Sequence, residues 1–266
     1  MPNITGARAY VEVPAPQPRL GGLFSVARVI PVSGHELLGA EYQTDACTPA
    51  KHWSAGNCGY GFPASPCNPD GEPTLKEFRG LTDVHGDPFT IYDGIDCELL
   101  GNSAGFGSRV RAALGLKEPK AVETHVQTLL KAASGAPVTT GNVAKQIAAA
   151  EEWLAENYEG QGIIHMSRGL AAMACAAQVL VPGLDGTLAT CQGTPIANGA
   201  GYSTLADSLI VSGQVTLLQG PIEARDVPQM DNGDGTCSPP RSLAERTYVA
   251  LIECGAQQID MTPPVN

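Results

Sequence analysis

The sequence predicts an α+β protein, in which strand-forming and helix-forming segments occupy different parts of the chain. Short apolar runs typical of strands dominate the first and last thirds, while apolar positions at helical spacing dominate much of the middle. Glycine and proline contribute 31 and 21 of the 266 residues. This content predicts many turns and extended connections between the elements.

Composition and charge restrict the classes of function. A chain of 266 residues can form one large domain or two smaller lobes. Only 16% of the residues are charged and 5% are aromatic. This suits a protein whose surface is covered by partners, although a loop-rich monomer would have the same composition. The formal net charge of −11, without a cluster of cations, argues against direct binding to nucleic acid or to a membrane surface.

The N-terminus and the cysteines bear on whether the thiols are reduced or form disulfides. No charged n-region precedes an apolar h-region, and no apolar run approaches the length of a membrane span. We therefore expect reduced thiols rather than disulfides. Cys47, Cys58 and Cys67 lie near His52, but their spacings contain no C-x-x-C pair, so we expect no metal site. Plain loop cysteines or a late-forming disulfide are the favoured alternatives. The eight cysteines are Cys47, Cys58, Cys67, Cys97, Cys175, Cys191, Cys237 and Cys254.

The first third is predicted to form an arm and a long hairpin. Residues 1–20 contain four prolines and should form an extended arm that becomes ordered only across another surface. The irregular stretch 44–73 separates two pairs of predicted strands, which indicates a long hairpin with little core of its own. The predicted strands are 23–31, 37–43, 76–81 and 88–96.

The middle of the chain is predicted to be helical. Residues 102–134 carry an apolar stripe, with Pro119 either starting a second helical segment or kinking a long helix. Residues 134–141 are predicted to be a linker. Asn142 is expected to cap a helix over 143–157.

Residues 160–202 predict a helix, strand, helix, strand unit. Ile163–Met166 is a short apolar run typical of a buried strand, and Ser167 should cap an alanine-rich helix that ends near Pro182. Residues 188–191 are predicted to be a strand, and 193–196 to be a kinked edge.

The last quarter returns to strands. Residues 208–224 predict two or three strands, and 225–241 a long turn region. Residues 244–254 are apolar on both alternating faces, which predicts a central strand. The C-terminal tail is expected to be irregular.

One motif resembles a catalytic site. Ser103 lies in a G-x-S-x-G pattern between a predicted strand and a predicted helix, as the nucleophile of a serine hydrolase would. Only His125 and His165 follow it as possible bases, and no Asp lies between Ser103 and His165. We favour a helix cap for Ser103, and we expect no catalytic residue.

Other motifs favour structural roles. Residues 231–235 (DNGDG) resemble a calcium loop, but Met230 and Arg241 would occupy its first and last ligand positions, so a turn is favoured. His165 has no neighbouring nucleophile or acid and is interpreted as a hydrogen-bonded core or interface histidine. No phosphate-binding or dinucleotide-binding loop is present, so we expect no cofactor.

The order of these parts resembles the major capsid protein of tailed bacteriophages, with the Hong Kong ninety-seven type fold that encapsulins share. The strand and helix that open the axial lobe in this family are matched by GIIHMSRGLAAM. The next strands are matched by LATCQGTPIANGAGYS and SLIVSGQVTLLQGPIEA, and the closing strand by SLAERTYVALIECGAQQI with its Glu245-Arg246 pair. In the first half, LGGLFSVARVI and DPFTIYDGIDC resemble capsid segments from phages of actinobacteria. The resemblance covers about residues 20–260.

The resemblance implies a domain organisation and a function. Residues 1–35 would be the N-terminal arm, 36–93 the extended loop, 94–134 with 222–262 the peripheral domain with its spine helix, and 135–221 the axial domain. The protein would assemble into pentamers and hexamers of an icosahedral head that encloses double-stranded DNA. Its partners would be its own copies, a scaffolding protein, a portal, a possible decoration protein, and DNA without specific binding. No membrane would be involved.

Two departures from the family affect what can be transferred. Little sequence precedes the arm, so the scaffold is expected to be a separate protein. Lys51 and Lys76 lie in the extended loop, but no catalytic Glu or acceptor Asn can be matched, so we expect no isopeptide cross-link. The alternatives are an encapsulin-like nanocompartment, a serine hydrolase that uses Ser103, and a monomeric binding module.

Overall fold

The computed structural model describes residues 19–50, 80–96, 106–183, 186–227 and 241–261. These residues contain three α-helices, fourteen strands and three short 3₁₀ turns. The helices are α1 (Phe106–Ala133), α2 (Val143–Asn157) and α3 (Arg168–Ala176). The strands are β1 (Arg28–Pro31), β2 (Ala40–Thr44), β3 (Thr82–Gly86), β4 (Pro88–Asp96), β5 (Val138–Thr140), β6 (Ile163–Met166), β7 (Leu180–Pro182), β8 (Leu188–Thr190), β9 (Pro195–Ala197), β10 (Leu209–Ser212), β11 (Val215–Gln219), β12 (Glu223–Val227), β13 (Arg241–Ile252) and β14 (Ala256–Met261).

The chain divides into two units. Among the described residues, the smaller unit contains Arg19, 92–96, 106–118, 222–227 and 241–245, and the larger unit contains the rest. The division falls within α1, β4 and β13, so that each of these elements contributes residues to both units.

A mixed sheet forms the centre of the larger unit. Within the described residues its strand order is β5-β14-β10-β6-β9-β8-β7. Both faces of the sheet are buried at β6, because successive residues of this strand enter different cores. Ile163 packs with α1, and Ile164 packs with α2 and α3. This two-sided burial explains why the strand reads as an uninterrupted apolar run except for His165.

A second sheet of the larger unit contains β1, β11 and the second half of β13. Strand β1 runs parallel to β11, which pairs antiparallel with β13. The β2–β3 hairpin packs over this sheet, where Val84 joins Leu218, Val249 and Leu251 in a separate core. The hairpin root therefore shares a core with β11 and β13, in line with the expectation of a hairpin that has little core of its own.

The smaller unit contains an antiparallel strand pair and several ion pairs among its described residues. Strand β12 pairs antiparallel with the first half of β13. Three surface ion pairs lie here, with nitrogen to oxygen distances of 2.8–3.1 Å. The pairs are Lys117–Asp93, Arg225–Glu245 and Arg241–Asp96. A cleft of about 270 Å³ is lined by Gly107, Ser108, Arg111, Ala224, Arg225 and Asp226.

Several predicted elements are confirmed. Strand β4 and helix α2 have the predicted bounds, and the Asn142 side chain caps α2 by accepting a hydrogen bond from the Lys145 backbone N–H at 2.9 Å. Ser167 caps α3 in the same way through the Leu170 N–H at 3.0 Å. Strand β13 is central, as expected for 244–254, but it begins three residues earlier and ends two residues earlier than predicted.

Two predicted strands are wrong in their first halves. The 23–31 segment begins with a 3₁₀ turn, Leu23–Ser25, because the N–H groups of Val26 and Ala27 donate to the Leu23 carbonyl at 3.0 and 2.8 Å. The 37–43 segment likewise begins in a turn, His35–Leu38, before β2.

The bounds of α1 and α3 also correct the sequence prediction. Helix α1 continues through Pro119, so the proline does not start a second helix. Helix α3 ends at Ala176 rather than near Pro182, because Gln178 adopts a left-handed backbone with φ of 59° and the Val179 N–H returns to the Ala174 carbonyl at 3.1 Å.

The sequence prediction missed four strands, including β7 at the expected end of the alanine-rich helix, and misplaced one. Strand β5 lies within the predicted 134–141 linker, β3 precedes β4, and β14 precedes the tail. Each of these three is short and is held by a partner distant in sequence, so local periodicity gives little signal. Strand β9 lies between β6 and β8 rather than at an edge, and Pro195 is tolerated as its first residue.

Candidate functional site: the two anchors of the larger unit

A buried carboxylate in α1 holds two loops of the larger unit. Glu123 is 1% exposed, and its two oxygens accept hydrogen bonds from the backbone N–H groups of Leu23 at 3.0 Å and Gly201 at 2.8 Å. We call this arrangement the Glu123 anchor. It fixes the entry to β1 and the 3₁₀ turn Ala200–Leu205 against the same turn of α1.

The Glu123 anchor requires glycine at position 201. A Cβ on Gly201 would lie 2.5 Å from the Lys120 carbonyl oxygen and 2.7 Å from the Thr124 nitrogen, both of which belong to the α1 backbone. Since backbone atoms cannot move without distorting the helix, glycine allows the approach that brings the Gly201 N–H to the carboxylate.

The charge state of Glu123 reflects opposing influences. Burial raises the pKa of this carboxyl, while the two N–H donors and the Arg168 guanidinium lower it. Arg168 lies at the start of α3 and also donates to the carbonyls of Leu20 and Asn198, at 3.3 and 3.5 Å. One cation therefore supports the same entry segment that the carboxylate holds.

His165 lies in the interior beside the 3₁₀ turn that the Glu123 anchor holds. It is fully buried, with Nδ1 2.9 Å from the Tyr202 hydroxyl and Nε2 3.0 Å from the Ser212 hydroxyl. Because the Ser212 hydroxyl donates to the Gly213 carbonyl, it accepts from Nε2, and Nδ1 accepts from Tyr202. Burial lowers the pKa of His165 to about 3. The interpretation of His165 as a hydrogen-bonded core histidine is confirmed.

A second carboxylate lies in the turn between β13 and β14. The Glu253 oxygens accept hydrogen bonds from the hydroxyls of Tyr42 at 2.6 Å and Tyr158 at 2.7 Å. Burial and the carboxylate together raise the pKa of both tyrosines, so both hydroxyls remain donors at physiological pH. Tyr42 belongs to β2 and Tyr158 follows α2, so this carboxylate joins the hairpin root to the sheet.

A disulfide reinforces this junction. Cys47 and Cys254 are bonded at 2.06 Å, with a Cα–Cα distance of 5.1 Å and a sequence separation of 207 residues. The Glu253 carboxylate, its two tyrosines and this disulfide are called the Glu253 anchor. The expectation of reduced thiols is wrong for this pair, because the return of β13 to the hairpin root brings the two cysteines together.

The remaining sequence candidates are not brought together by the described residues. Ser103, His52, Cys58 and Cys67 lie outside those residues, as do Lys51, Lys76 and the 231–235 motif. Cys175 and Cys191 are exposed free thiols. Among the described residues no group of three His, Cys, Asp or Glu could hold a metal ion. No helix in the described ranges is long and apolar enough to cross a membrane.

Sequence reasoning missed both carboxylates. Glu123 had a signal, since it lies on the same helical face as Leu130 within the apolar stripe of α1, where an acid needs buried partners. Glu253 had none, because its tyrosines are 95 and 211 residues away.

Comparison with known proteins gives matches only at the level of structure. No family model and no curated protein matches the chain. A chain of Mycobacterium phage Adephagia has a TM-score of 0.57 at 13% identity, covering 97% of this chain and 96% of that chain. The capsid of a native GTA particle has a TM-score of 0.58 at 11% identity, with coverages of 98% and 96%. A chain of Microbacterium phage Oxtober96 has a TM-score of 0.56 at 11% identity, with coverages of 97% and 96%. At these identities the likeness establishes the fold, and the predicted α+β class and Hong Kong ninety-seven type fold are confirmed.

Proposed function

Since the chain has the fold of phage capsid structures, we propose that it is the major capsid protein of a tailed bacteriophage. Its role is structural rather than enzymatic. Its copies form the pentamers and hexamers of an icosahedral head around double-stranded DNA. The observation that carries this proposal is the match in fold over 97% of this chain and 96% of the phage chain.

The predicted domains take their roles from this proposal. Residues 1–35 act as the arm, 36–93 as the extended loop that reaches a neighbouring copy, and 135–221 as the axial domain. Residues 94–134 and 222–262 form the peripheral domain around α1. Both anchors support these roles, because they hold the entry to β1 and the hairpin root firmly while the segments beyond them contact neighbours.

The partners follow from the same proposal. Copies of the chain assemble in the host cytoplasm on a scaffolding protein, and the head also contains a portal and can carry a decoration protein. The net charge of −11 lets the shell enclose DNA without adhering to it. No observation on the described residues favours an encapsulin-like role, and Ser103 lies outside them.

One exposed face offers a test of contact between copies in the axial domain. No charged residue occurs between Arg168 and Pro182, and Met173 and Val181 are 43% and 44% exposed on α3 and β7. We expect a second copy to cover this face in the ring, because burying uncharged surface requires no desolvation of ions.

The test is electron microscopy and sedimentation of the full-length protein, expressed with its neighbouring head genes and alone. Rings with fivefold or sixfold symmetry, or closed shells, are expected. Met173→Asp should keep the melting temperature within a few degrees and reduce assembled particles at least about tenfold. Ala148→Asp, on an exposed position of α2, is the matched control and should assemble normally. A stable monomer with the scaffold present would contradict the proposal.

A further inference from the structure

The Cys47–Cys254 disulfide joins two places that have different roles in the fold. Cys47 lies three residues after β2, where the chain leaves the hairpin root for residues 51–79. Cys254 lies in the tight turn between β13 and β14 and has a left-handed backbone, with φ of 57°. The bond therefore connects the base of the hairpin to the end of the central strand of the second sheet.

Noncovalent contacts on both sides keep the two cysteines opposed without the bond. The Glu253 carboxylate holds Tyr42 and Tyr158, and the Glu159 N–H donates to the Ala46 carbonyl at 2.9 Å. The Ala46 N–H also donates a hydrogen bond to the Thr44 hydroxyl at 3.2 Å. After reduction these contacts still favour the closed arrangement, from which the hairpin root opens transiently and to which it returns, so that the bond can form again.

We propose that Cys47 and Cys254 form a redox latch, which locks the root of the β2–β3 hairpin to the β13–β14 turn when oxidised and lets it open when reduced. Both cysteines are partly exposed, so that small thiols and disulfides reach them. The other two described cysteines are free and lie elsewhere on the larger unit. They serve as internal controls.

The chemistry of closing is thiol–disulfide exchange with a low-molecular-weight disulfide as oxidant. The thiolate of one cysteine attacks the small disulfide, forms a mixed disulfide and releases one small thiolate. The second protein thiolate then attacks the bound protein sulfur and releases the other small thiolate. Two protein thiols are oxidised, one small disulfide is reduced to two thiols, and the two protons end on those thiols.

The latch has a consequence that rests on the proposed function. Subunits made in a reducing cytosol carry thiols at these positions, so their hairpin roots can adjust while copies assemble. The bond closes after the particle reaches an oxidising environment. It then fixes the base of each extended loop and stiffens the finished shell.

The test is hydrogen exchange and peptide mapping on the full-length unassembled protein, with oxidised and reduced glutathione as probes. In the oxidised protein, digestion without reductant should yield a linked peptide that contains Cys47 and Cys254. Reduction should speed exchange in 40–46 and 82–86 at least about tenfold and leave 143–157 unchanged. Removing the reductant and adding oxidised glutathione should restore protection.

Matched variants separate the latch from general thiol effects. Cys47→Ser and Cys254→Ser should exchange as the reduced wild type does in either buffer, whereas Cys175→Ser and Cys191→Ser should behave as wild type. A Cys47 linked to another cysteine, or equal exchange in oxidised and reduced wild type, would overturn the latch. Since the wild-type comparison needs no variant, a variant that fails to fold leaves the test intact.

Assembly is measured separately with the same oxidised and reduced samples. Shells that form while the exchange at 40–46 is independent of oxidation would overturn the latch and support the capsid proposal. Absence of shells together with redox-dependent exchange would support the latch and overturn the capsid proposal. We expect both samples to assemble, with the oxidised shells losing subunits at least about tenfold more slowly in denaturant.

Discussion

The two anchors hold distant segments to one unit by different chemistry. The Glu123 anchor is sealed from water, and its strength depends on satisfying two backbone N–H groups without any covalent bond. The Glu253 anchor is partly exposed, and it adds a disulfide to two tyrosine hydrogen bonds. The first is therefore sensitive to packing and protonation, and the second to oxidation. Burial decides which chemical change each anchor can respond to.

The largest loss of stability is expected at Gly201, where the Glu123 anchor depends on the close approach of two backbone segments. Gly201→Ala should lower the free energy of unfolding by about 3 kcal/mol or more, because the added methyl meets the α1 backbone. Gly115→Ala on an exposed position of α1 is the matched control. It should be stabilising by about 1 kcal/mol, since no heavy atom lies within 4 Å of its Cβ position. Urea unfolding of both variants measures the difference, and equal stabilities would contradict this account of the anchor.

Removing the buried carboxylate tests the hydrogen bonds themselves. Glu123→Ala should reduce the free energy of unfolding by about 2–4 kcal/mol, because the N–H groups of Leu23 and Gly201 lose their acceptor in the interior. Glu123→Gln keeps one acceptor oxygen and should lose less. Chemical denaturation ranks the two variants. Equal losses in the two variants would show that charge, rather than hydrogen-bond satisfaction, determines the strength.

The stability of the protein should depend on pH through His165, which lies beside the 3₁₀ turn that the Glu123 anchor holds. The unfolded His165 takes up a proton below its ordinary pKa of 6.5, whereas the folded one does so only near 3. Stability from this group is therefore complete above pH 6.5 and falls by about 1.4 kcal/mol per pH unit as the pH drops toward 3. Tyr202 stays neutral in this window because burial raises its pKa well above 10.

His165→Gln isolates this contribution, because Gln keeps a donor and an acceptor and does not titrate. Burial also raises the pKa of Glu123, which lies near Tyr202, but Glu123 is present in both proteins and is compared with itself. The difference in unfolding free energy between wild type and variant should therefore shrink as the pH falls from 6.5 to 4. A constant difference would rule out His165 as the source.

The smallest loss of stability is expected at the Glu253 anchor, which is partly exposed. Tyr42→Phe and Tyr158→Phe should each reduce the free energy of unfolding by about 1 kcal/mol, since each removes one hydrogen bond to a carboxylate that water can still reach. With the disulfide reduced, the same substitutions should also speed hydrogen exchange in the hairpin root. Effects as large as that of Glu123→Ala would remove the distinction between the anchors.

Local elements could be predicted from the sequence because their signals lie within a few residues. Asn142 and Ser167 cap helices by accepting hydrogen bonds from backbone N–H groups three residues downstream. The 88–96 strand and the apolar stripe of α2 have regular periods. The order of these elements sufficed for the resemblance to phage capsid proteins, and the fold bears it out. The end of α3 was misjudged because a left-handed Gln178, rather than a proline or glycine, closes that helix.

The sequence by itself thus determined the class, most helices and central strands, and the chain order typical of the fold. Tertiary structure alone decided that Glu123 holds the entry to β1, that His165 is sealed between Tyr202 and Ser212, and that Cys47 meets Cys254. The physical reason is distance along the chain. Periodicity and caps act over one or two turns, whereas these contacts join residues 37 to 207 positions apart and exist only when the sheets return the chain to the same place.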